Sequence, residues 1–319
     1  MKKGFHPTEI IFAITDICNL NCSHCFVTRK KQILDSKKAC KFLETCSKEQ
    51  IQKIGFSGGE PFLYCDAIIE ICKKAIELDF MFDRIMTNGI WWNSELELDT
   101  KLNNLYEIGF DGKFGLSLDS FHNQPINKII TFCKKIYQLW NNPYVIEIQS
   151  VISQDKLSQD YNVFKELAKG LNAEINYSIN KKTGIGFAVI SNEKLYLPIQ
   201  RTPQSFQSNN LQCWQSKKWF KDDFCEGPGQ LLYVHPNGNI APCCGFANEE
   251  NELNIGTINE NFYEILENAN NNFMVNICYK TGLNKYRKEL KKKKHIFPGK
   301  TKDICTFCEY ICKINEKSI

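Results

Sequence analysis

Cys18-Asn-Leu-Asn-Cys22-Ser-His-Cys25 sets three thiols within eight residues, directly after the β-rich run Glu9–Thr15. A four-iron cubane takes one protein ligand per iron, so three cysteines leave one iron open. An open iron can chelate the amino and carboxylate groups of a small molecule. The same residues could also form a zinc site or redox thiols. Zinc sites usually show paired C-x2-C units and a fourth ligand, which is absent nearby. The spacing therefore points to an iron–sulfur cluster with a free coordination position.

Outward from that stretch, short β-rich runs alternate with amphipathic helical patterns. The strand-like runs are Glu9–Thr15, Ile51–Ser57, Phe82–Thr87, Lys113–Leu118, Val145–Ile152 and Glu174–Ile179. Helical patterns fall near Ser36–Lys48, Asp66–Leu78, Leu96–Ile108, Ile126–Leu139 and Asn162–Gly170. Such alternation implies parallel strands joined by right-handed crossovers. Periodicity alone leaves an open doubly wound sheet and a partial barrel in competition. In both, function belongs at the C-terminal ends of the strands. The cysteine cluster follows the first strand, Gly58-Gly59-Glu60-Pro61 the second and Asn88-Gly89 the third, while Asp119 closes the fourth.

The chain has 319 residues, 43% hydrophobic and 24% charged, as in an ordinary globular protein with room for a large and a smaller domain. No apolar run approaches the roughly 20 residues that span a membrane. The opening Met-Lys-Lys-Gly-Phe-His-Pro leads into a strand rather than a signal segment, so a cytoplasmic location is expected. Net charge of +4 is mild. The basic run Lys285–Lys294 reads as a solvated helix face or as a docking surface for an acidic peptide. No nucleic-acid module accompanies it.

Sixteen cysteines in a long chain without a secretion signal read as free thiols and metal ligands rather than disulfides. Seven sit singly and are expected as core or surface thiols: Cys40, Cys46, Cys65, Cys72, Cys133, Cys213 and Cys278. The other nine fall into three tight groups. Three regions are expected: a barrel over 1–180, a linker or wrapping segment over 181–224 containing the Gln/Asn/Ser-rich Gln204–Gln212, and a module over 225–319. In that module Leu231–Val234 and Asn239–Ala241 flank His235-Pro-Asn-Gly238, a hairpin signal, and Asn261–Tyr279 reads as helical.

Cys-x3-Cys-x2-Cys after the first strand resembles the signature of the radical S-adenosylmethionine (SAM) superfamily, and Gly58-Gly59-Glu60-Pro61 resembles its second motif. The resemblance implies an α/β fold, a partial (β/α)6 TIM-like barrel, with a [4Fe-4S] cluster on Cys18, Cys22 and Cys25 and SAM as cofactor. The family's residue before the third cysteine is commonly aromatic; here it is His24, which can still stack and hydrogen-bond. Gly58 and Gly59 are expected to let backbone approach the methionine end of SAM, since no Cβ intervenes. Carbonyls there and the Glu60 side chain suit its amino group. Asn88, Ser117 and Asp119 match positions that bind the ribose hydroxyls in the family, with strand-end capping as their other reading; Ser150 is a further candidate.

Cys225, twelve residues, Gly238, four residues and Cys243 match the opening of the SPASM/twitch motif, which resembles auxiliary-cluster domains of radical SAM peptide maturases. Cys305-x2-Cys308-x3-Cys312 supplies the other half. One auxiliary [4Fe-4S] cluster on Cys225, Cys243, Cys305 and Cys308 is expected, with Cys312 able to replace one of them and structural zinc as the alternative. Cys244 is then left over. Neighbours on a strand point to opposite faces, so its thiol is placed as a hydrogen-atom donor or as a buried thiol.

More narrowly, the chain resembles the radical SAM peptide epimerases, in Cys-Asn-x2-Cys-x-His-Cys, Asn88-Gly89 with Trp91, Asp119 with His122, and Pro242-Cys243-Cys244. In that family a cysteine after the first auxiliary ligand pair donates hydrogen, which maps to Cys244. The family also carries an aspartate just beyond its first auxiliary cysteine, where this chain has Glu226-Gly-Pro-Gly-Gln. The implied activity is conversion of L- to D-residues in a ribosomally made precursor peptide, with a reduced flavodoxin or ferredoxin-type electron donor. The rivals are a maturase forming thioether or carbon–carbon crosslinks, a dehydrogenase of the sulfatase-maturase type, and a non-catalytic iron–sulfur electron-transfer or sensor protein. Without a separate leader-binding domain, the peptide would meet the barrel mouth, the 180–224 stretch or the C-terminal module.

Overall fold

A computed structural model describes residues 4–46, 50–179, 186–225 and 229–316. Glu226 and the far end of the first expected helix lie outside the described residues. In chain order the strands are β1 (Glu9–Ala13), β2 (Lys53–Ser57), β3 (Met81–Thr87), β4 (Lys113–Ser117), β5 (Ile146–Ile152), β6 (Glu174–Ile179), β7 (Gly186–Ser191), β8 (Tyr196–Pro203), β9 (Gly229–Val234), β10 (Asn239–Cys243) and β11 (Gly256–Thr257). The helices are α1 (Ser36–Thr45), α2 (Cys65–Glu77), α3 (Glu95–Glu107), α4 (Ile126–Trp140), α5 (Leu157–Gly170), α6 (Phe262–Asn271), α7 (Phe273–Asn276), α8 (Leu283–Lys292) and α9 (Ile304–Glu316). The fold is mixed α/β, a partial barrel with a C-terminal iron–sulfur module, as the motifs imply. Two compact units divide the chain: one of residues 13–36 and 54–204, the other of 1–12, 37–53 and 205–319.

In the first unit the strand order is β2-β3-β4-β5-β8-β7-β6. β3, β4, β5 and β8 run parallel, with Ile85 opposite Phe114, Leu116 opposite Ile148 and Ile148 opposite Ile199. Parallel strands are covered on both faces and read as continuous apolar runs. Phe114, Gly115 and Leu116 of β4 are accordingly all buried. Helices cover them through apolar stripes at i, i+3, i+4 and i+7, as Ile129, Phe132, Cys133 and Ile136 do on α4. Phe114 meets Phe132 and Trp140 edge-on, with centroids 6.2 and 4.9 Å apart. Each such buried side chain contributes roughly 1.5–3 kcal/mol.

Two expectations change here. Glu174–Ile179 is a strand over the expected residues, but it pairs antiparallel with β7 at the sheet edge. The strand beside β5 is instead β8, from the stretch expected as a linker. Leu197 and Ile199 alternate inward there, but Pro198, Gln200 and Pro203 interrupt the apolar signal. Residues 181–224 therefore contribute β7 and β8 rather than a linker alone.

In the second unit the order is β11-β10-β9-β1. β9 lies parallel to β1, with Ile10 opposite Leu232, and antiparallel to β10, with Val234 opposite Ile240. The hairpin falls at His235–Gly238 as expected, closed by the Asn239 carbonyl accepting from His235 N–H at 2.8 Å. Gly238 adopts φ +88° and so escapes the Cβ penalty of that region. The pairing shifts between Ala241 and Cys243, a bulge that re-aims the end of β10. The Asn261–Tyr279 region divides into α6, α7 and a π-helical turn at Ile277–Thr281. Asn261 and Glu264 form a reciprocal capping box on α6. Among the described residues no helix is long and apolar enough to cross a membrane.

Candidate iron–sulfur and cofactor site

Cys18, Cys22 and Cys25 lie on the loop that leaves β1, and that loop is held from several sides. Asp16 accepts from the Lys30 and Gln32 N–H groups at 3.0 and 2.9 Å. Arg29 donates to the carbonyls of Cys18 and Leu20. The Cys18 sulfur accepts from Leu20 N–H at 3.4 Å and from Asn88 Nδ2 at 3.7 Å. Burial pushes the Cys18 thiol up. Burial and then the neighbouring thiols of Cys25 and Cys18 push Cys22 up to about 11. Three thiols crowded in this way, with N–H donors aimed at one sulfur, suit a cationic cluster that replaces their protons.

The glycine motif binds this loop rather than leaving open space. A Cβ on Gly58, whose φ is +133°, would strike the Thr15 carbonyl, and one on Gly59 would strike that of Ile17. Gly59 N–H donates to Thr15 at 2.6 Å and Glu60 N–H to Ile17 at 2.8 Å. The two glycines are therefore required for backbone-to-backbone approach between β2 and the cluster loop.

The Glu60 carboxylate is likewise engaged by the chain. One oxygen accepts from Thr87 Oγ1 at 2.9 Å and Phe62 N–H at 3.2 Å, and the other from Asn88 N–H at 2.7 Å. It is fully buried, and burial raises its pKa to about 7 against those three donors. Glu60 fixes the ends of β2 and β3 to each other.

Asp119 is also occupied locally. One oxygen accepts from Phe121 N–H at 2.9 Å and contacts His122 Nδ1 at 2.7 Å; the other accepts from Val151 N–H at 2.8 Å. Burial alone would raise it, but the His122 contact and the Val151 N–H hold it below the usual carboxylate range. Of the two readings of Asp119, the structure displays strand-end capping. Asn88 accepts from Ile90 N–H and donates to Asn19 Oδ1 at 2.8 Å, so it ties the β3 end to the cluster loop. Ser117 sits half-buried at the end of β4.

Among the described residues, the buried polar atoms near these strand ends that lack a partner include His24 Nδ1, Gln124 Oε1 and Ser150 Oγ. Buried polar atoms are nearly always satisfied, so these three are available to a polar ligand or to water. His24 meets Phe121 and His122 edge-on, with centroids 5.0 and 4.8 Å away. Burial and then His122 push the His24 imidazole below its ordinary value. Gln124 was not singled out in the sequence. Its amide donates to the carbonyls of Asn88 and Ser117 at 2.6 and 2.8 Å, joining β3 and β4 at their ends. Nothing in its local pattern signals that.

In the second unit, Cys225, Cys243, Cys305 and Cys308 line one apolar pocket, as expected. Cys278, expected as an isolated core thiol, lines it too. Its sulfur lies 3.7 Å from that of Cys308. Cys312 is fully buried and hydrogen-bonded to Cys308. Burial pushes the Cys243 and Cys305 thiols well up. Soft donors converging in an apolar cavity fit an iron–sulfur cluster. Cys244 follows Cys243 but is exposed, whereas Cys243 is buried. Cys40, Cys46, Cys65, Cys72 and Cys133 are buried, as expected.

The fold and these two thiol sites define an iron–sulfur enzyme on a partial barrel with an auxiliary cluster module. A 4Fe-4S single cluster domain family matches residues 10–126, and the SPASM iron–sulfur cluster-binding domain matches residues 225–309. The chain belongs to the radical SAM enzymes that carry a SPASM domain, and its cofactors are a [4Fe-4S] cluster, SAM and an auxiliary iron–sulfur cluster. It is 23% identical over 323 aligned residues to YydG of Bacillus subtilis (strain 168), named as a peptide biosynthesis protein, covering 94% of this chain and 90% of that one. SuiB of Streptococcus suis bound to SAM superposes with a TM-score of 0.57 at 14% identity, over 94% of this chain and 77% of that one. The form of SuiB bound to the precursor peptide SuiA gives 0.53 at 13%, over 94% and 76%. The protein anSMEcpe with SAM and the Cp18Cys peptide gives 0.52 at 15%, over 82% and 80%.

Proposed function

We propose that this enzyme converts an L-residue to its D-form in a ribosomally made precursor peptide. The observation that carries the reading is the pair Cys243 and Cys244: one thiol buried in the auxiliary pocket, the next exposed. The likeness to YydG, and the peptides bound by SuiB and anSMEcpe, support a peptide as substrate.

Cys18, Cys22 and Cys25 would hold the cluster whose open iron takes SAM. With SAM and an electron supplied, that cofactor pair furnishes a 5′-deoxyadenosyl radical able to remove a hydrogen atom from an unactivated carbon. The residues around it bind and orient. His24, Gln124, Ser117 and Ser150 would satisfy the nucleoside's polar groups, while carbonyls at Gly58 and Gly59 would receive the amino group. Glu60, Asn88 and Asp119 act as positioning residues that hold the strand ends in register.

Once the Cα hydrogen is removed, Cys244 returns one from the opposite face. Its S–H bond breaks as the new Cα–H bond forms. The sulfur left behind takes up one electron and one proton, the electron coming from a reduced flavodoxin or ferredoxin-type donor. Thiol hydrogens exchange with solvent, so peptide converted in heavy water gains one deuterium per inverted residue. Cys244→Ala is expected to stop the reaction after hydrogen removal while SAM cleavage continues. A product lighter by two hydrogens, with no deuterium gained, would replace this reading with crosslinking.

A further inference from the structure

Cys225, Cys243, Cys278, Cys305 and Cys308 offer five thiols to a cluster that takes four, and one of them lies against another. We propose that Cys225, Cys243, Cys305 and Cys308 hold the auxiliary cluster, and that Cys278 keeps its proton and donates it in a hydrogen bond to the Cys308 sulfur, raising the cluster's reduction potential. The proposal rests on the auxiliary cluster and not on the peptide chemistry above, so the heavy-water experiment can fail without touching it.

Each iron of a cubane takes its own ligand at its own corner. The Cys278 and Cys308 sulfurs are 3.7 Å apart, in hydrogen-bond contact, so only one of them ligates. Two observations select Cys308. It stands one helical turn after Cys305 on α9, and both line the pocket, as residues three apart on one helix face do. Asp303 fixes the start of that helix, its carboxylate accepting from Cys305 N–H at 2.8 Å and Thr306 N–H at 3.4 Å. Cys308 is also the sulfur that two thiols share, since Cys312, one turn further on, is hydrogen-bonded to it as well. A thiol has one proton to give, whereas a thiolate accepts from several donors, so a ligated Cys308 can receive both.

The backbone holds Cys278 to this contact. It sits in the π-helical turn Ile277–Thr281, closed by Gly282 at φ +96°. Such turns occur mostly as local bulges at functional sites. The Cys278 carbonyl accepts from Cys225 N–H at 3.3 Å, and the Tyr279 hydroxyl donates to the Pro242 carbonyl at 3.0 Å. The turn is thereby fixed to the backbone beside two ligands, Cys225 and Cys243. Cys278 and Cys308 are only 3% and 7% exposed, so water competes little for their hydrogen bond. A hydrogen bond to a ligand sulfur withdraws electron density from it and favours the reduced, more negative cluster.

Iron analysis and a redox titration followed by electron paramagnetic resonance, on the full-length, anaerobically reconstituted protein, test this independently of turnover. Wild type and Cys278→Ala are both expected to hold about eight irons per chain, and Cys308→Ala about four. In Cys278→Ala the auxiliary cluster is expected to be harder to reduce by on the order of tenfold, a midpoint lower by about 59 mV for one electron. The N-terminal cluster keeps its own midpoint. Cys278→Ser returns a donor to the same place and is expected to restore the auxiliary midpoint. Loss of auxiliary iron in Cys278→Ala, or its retention in Cys308→Ala, overturns the assignment of ligands. A wild-type midpoint in Cys278→Ala, or one that stays low in Cys278→Ser, overturns the hydrogen bond. Should Cys278→Ala fail to fold, Cys278→Val fills the space without a donor. The same lowered midpoint is expected there, and a wild-type value overturns the proposal.

Discussion

Glu60 combines complete burial with three donors, and the two effects oppose each other. Burial wins, raising its pKa to about 7 from an unfolded value near 4.5. A carboxyl raised on folding binds its proton more tightly in the native state. Its contribution to stability is therefore full below the unfolded value and is lost as pH rises through the folded one. The difference amounts to about 3 kcal/mol across that window. Glu60→Gln removes the titration, so its denaturant midpoint is expected to vary less between pH 5 and pH 8 than that of wild type. The same slope in both proteins would show that another group governs it. The sequence displays Gly58-Gly59-Glu60 as a motif, but not what each member touches. Gly58 and Gly59 make room for the carbonyls of Thr15 and Ile17, partners forty residues back that local pattern cannot reveal.

Among the elements, β8 is where reading and structure diverge most. By contrast β4, with Phe114, Gly115 and Leu116 buried in a row, and β5, with Ile146, Ile148 and Ile152 buried, are plain in the sequence. β8 instead carries Arg201, whose guanidinium is buried and donates to Asp160 at 2.6 Å and to the Tyr177 hydroxyl at 3.1 Å. Asp160 in turn accepts from Ser120 N–H and Oγ at 2.9 and 2.7 Å, so one ion pair connects β8, α5 and the end of β4. A charged residue inside a strand pattern argues for a loop until its partner is known. Arg201→Met strands a buried carboxylate and is expected to cost about 3–5 kcal/mol. Adding Asp160→Asn is expected to recover most of that loss in the same unfolding measurement. If the double variant is no more stable than the single one, the pair does not hold β8. Cys278 was hidden for a related reason. Its pattern is that of a helix, and only the π-helical turn brings the thiol into the pocket.

For the molecule as a whole, the two units respond differently to iron. The auxiliary pocket draws its walls from the segment before β9, the end of β10, the Ile277–Thr281 turn and α9. Metal bound to such a site is also folding free energy for the elements that supply it. Chelation of both clusters is expected to lower amide-exchange protection in β9, β10, the turn and α9, while β4 and β5 keep theirs; equal loss throughout would contradict this. The first unit was largely legible because it is built from consecutive strand–helix repeats. The second was legible in its cysteines and its hairpin but not in the closure of its sheet, which begins with β1 and resumes at β9. That pairing also sets an order of events at the ribosome. While the nascent chain is still shorter than residue 229, Ile10 has no Leu232 to lie against, and β1 emerges with that edge bare. Long-range closures of this kind are slow to form, and the last thiols to appear, Cys305, Cys308 and Cys312, complete the same half of the protein. This half therefore cannot close until the chain has been made through Cys312, and its thiols are all present only from that point.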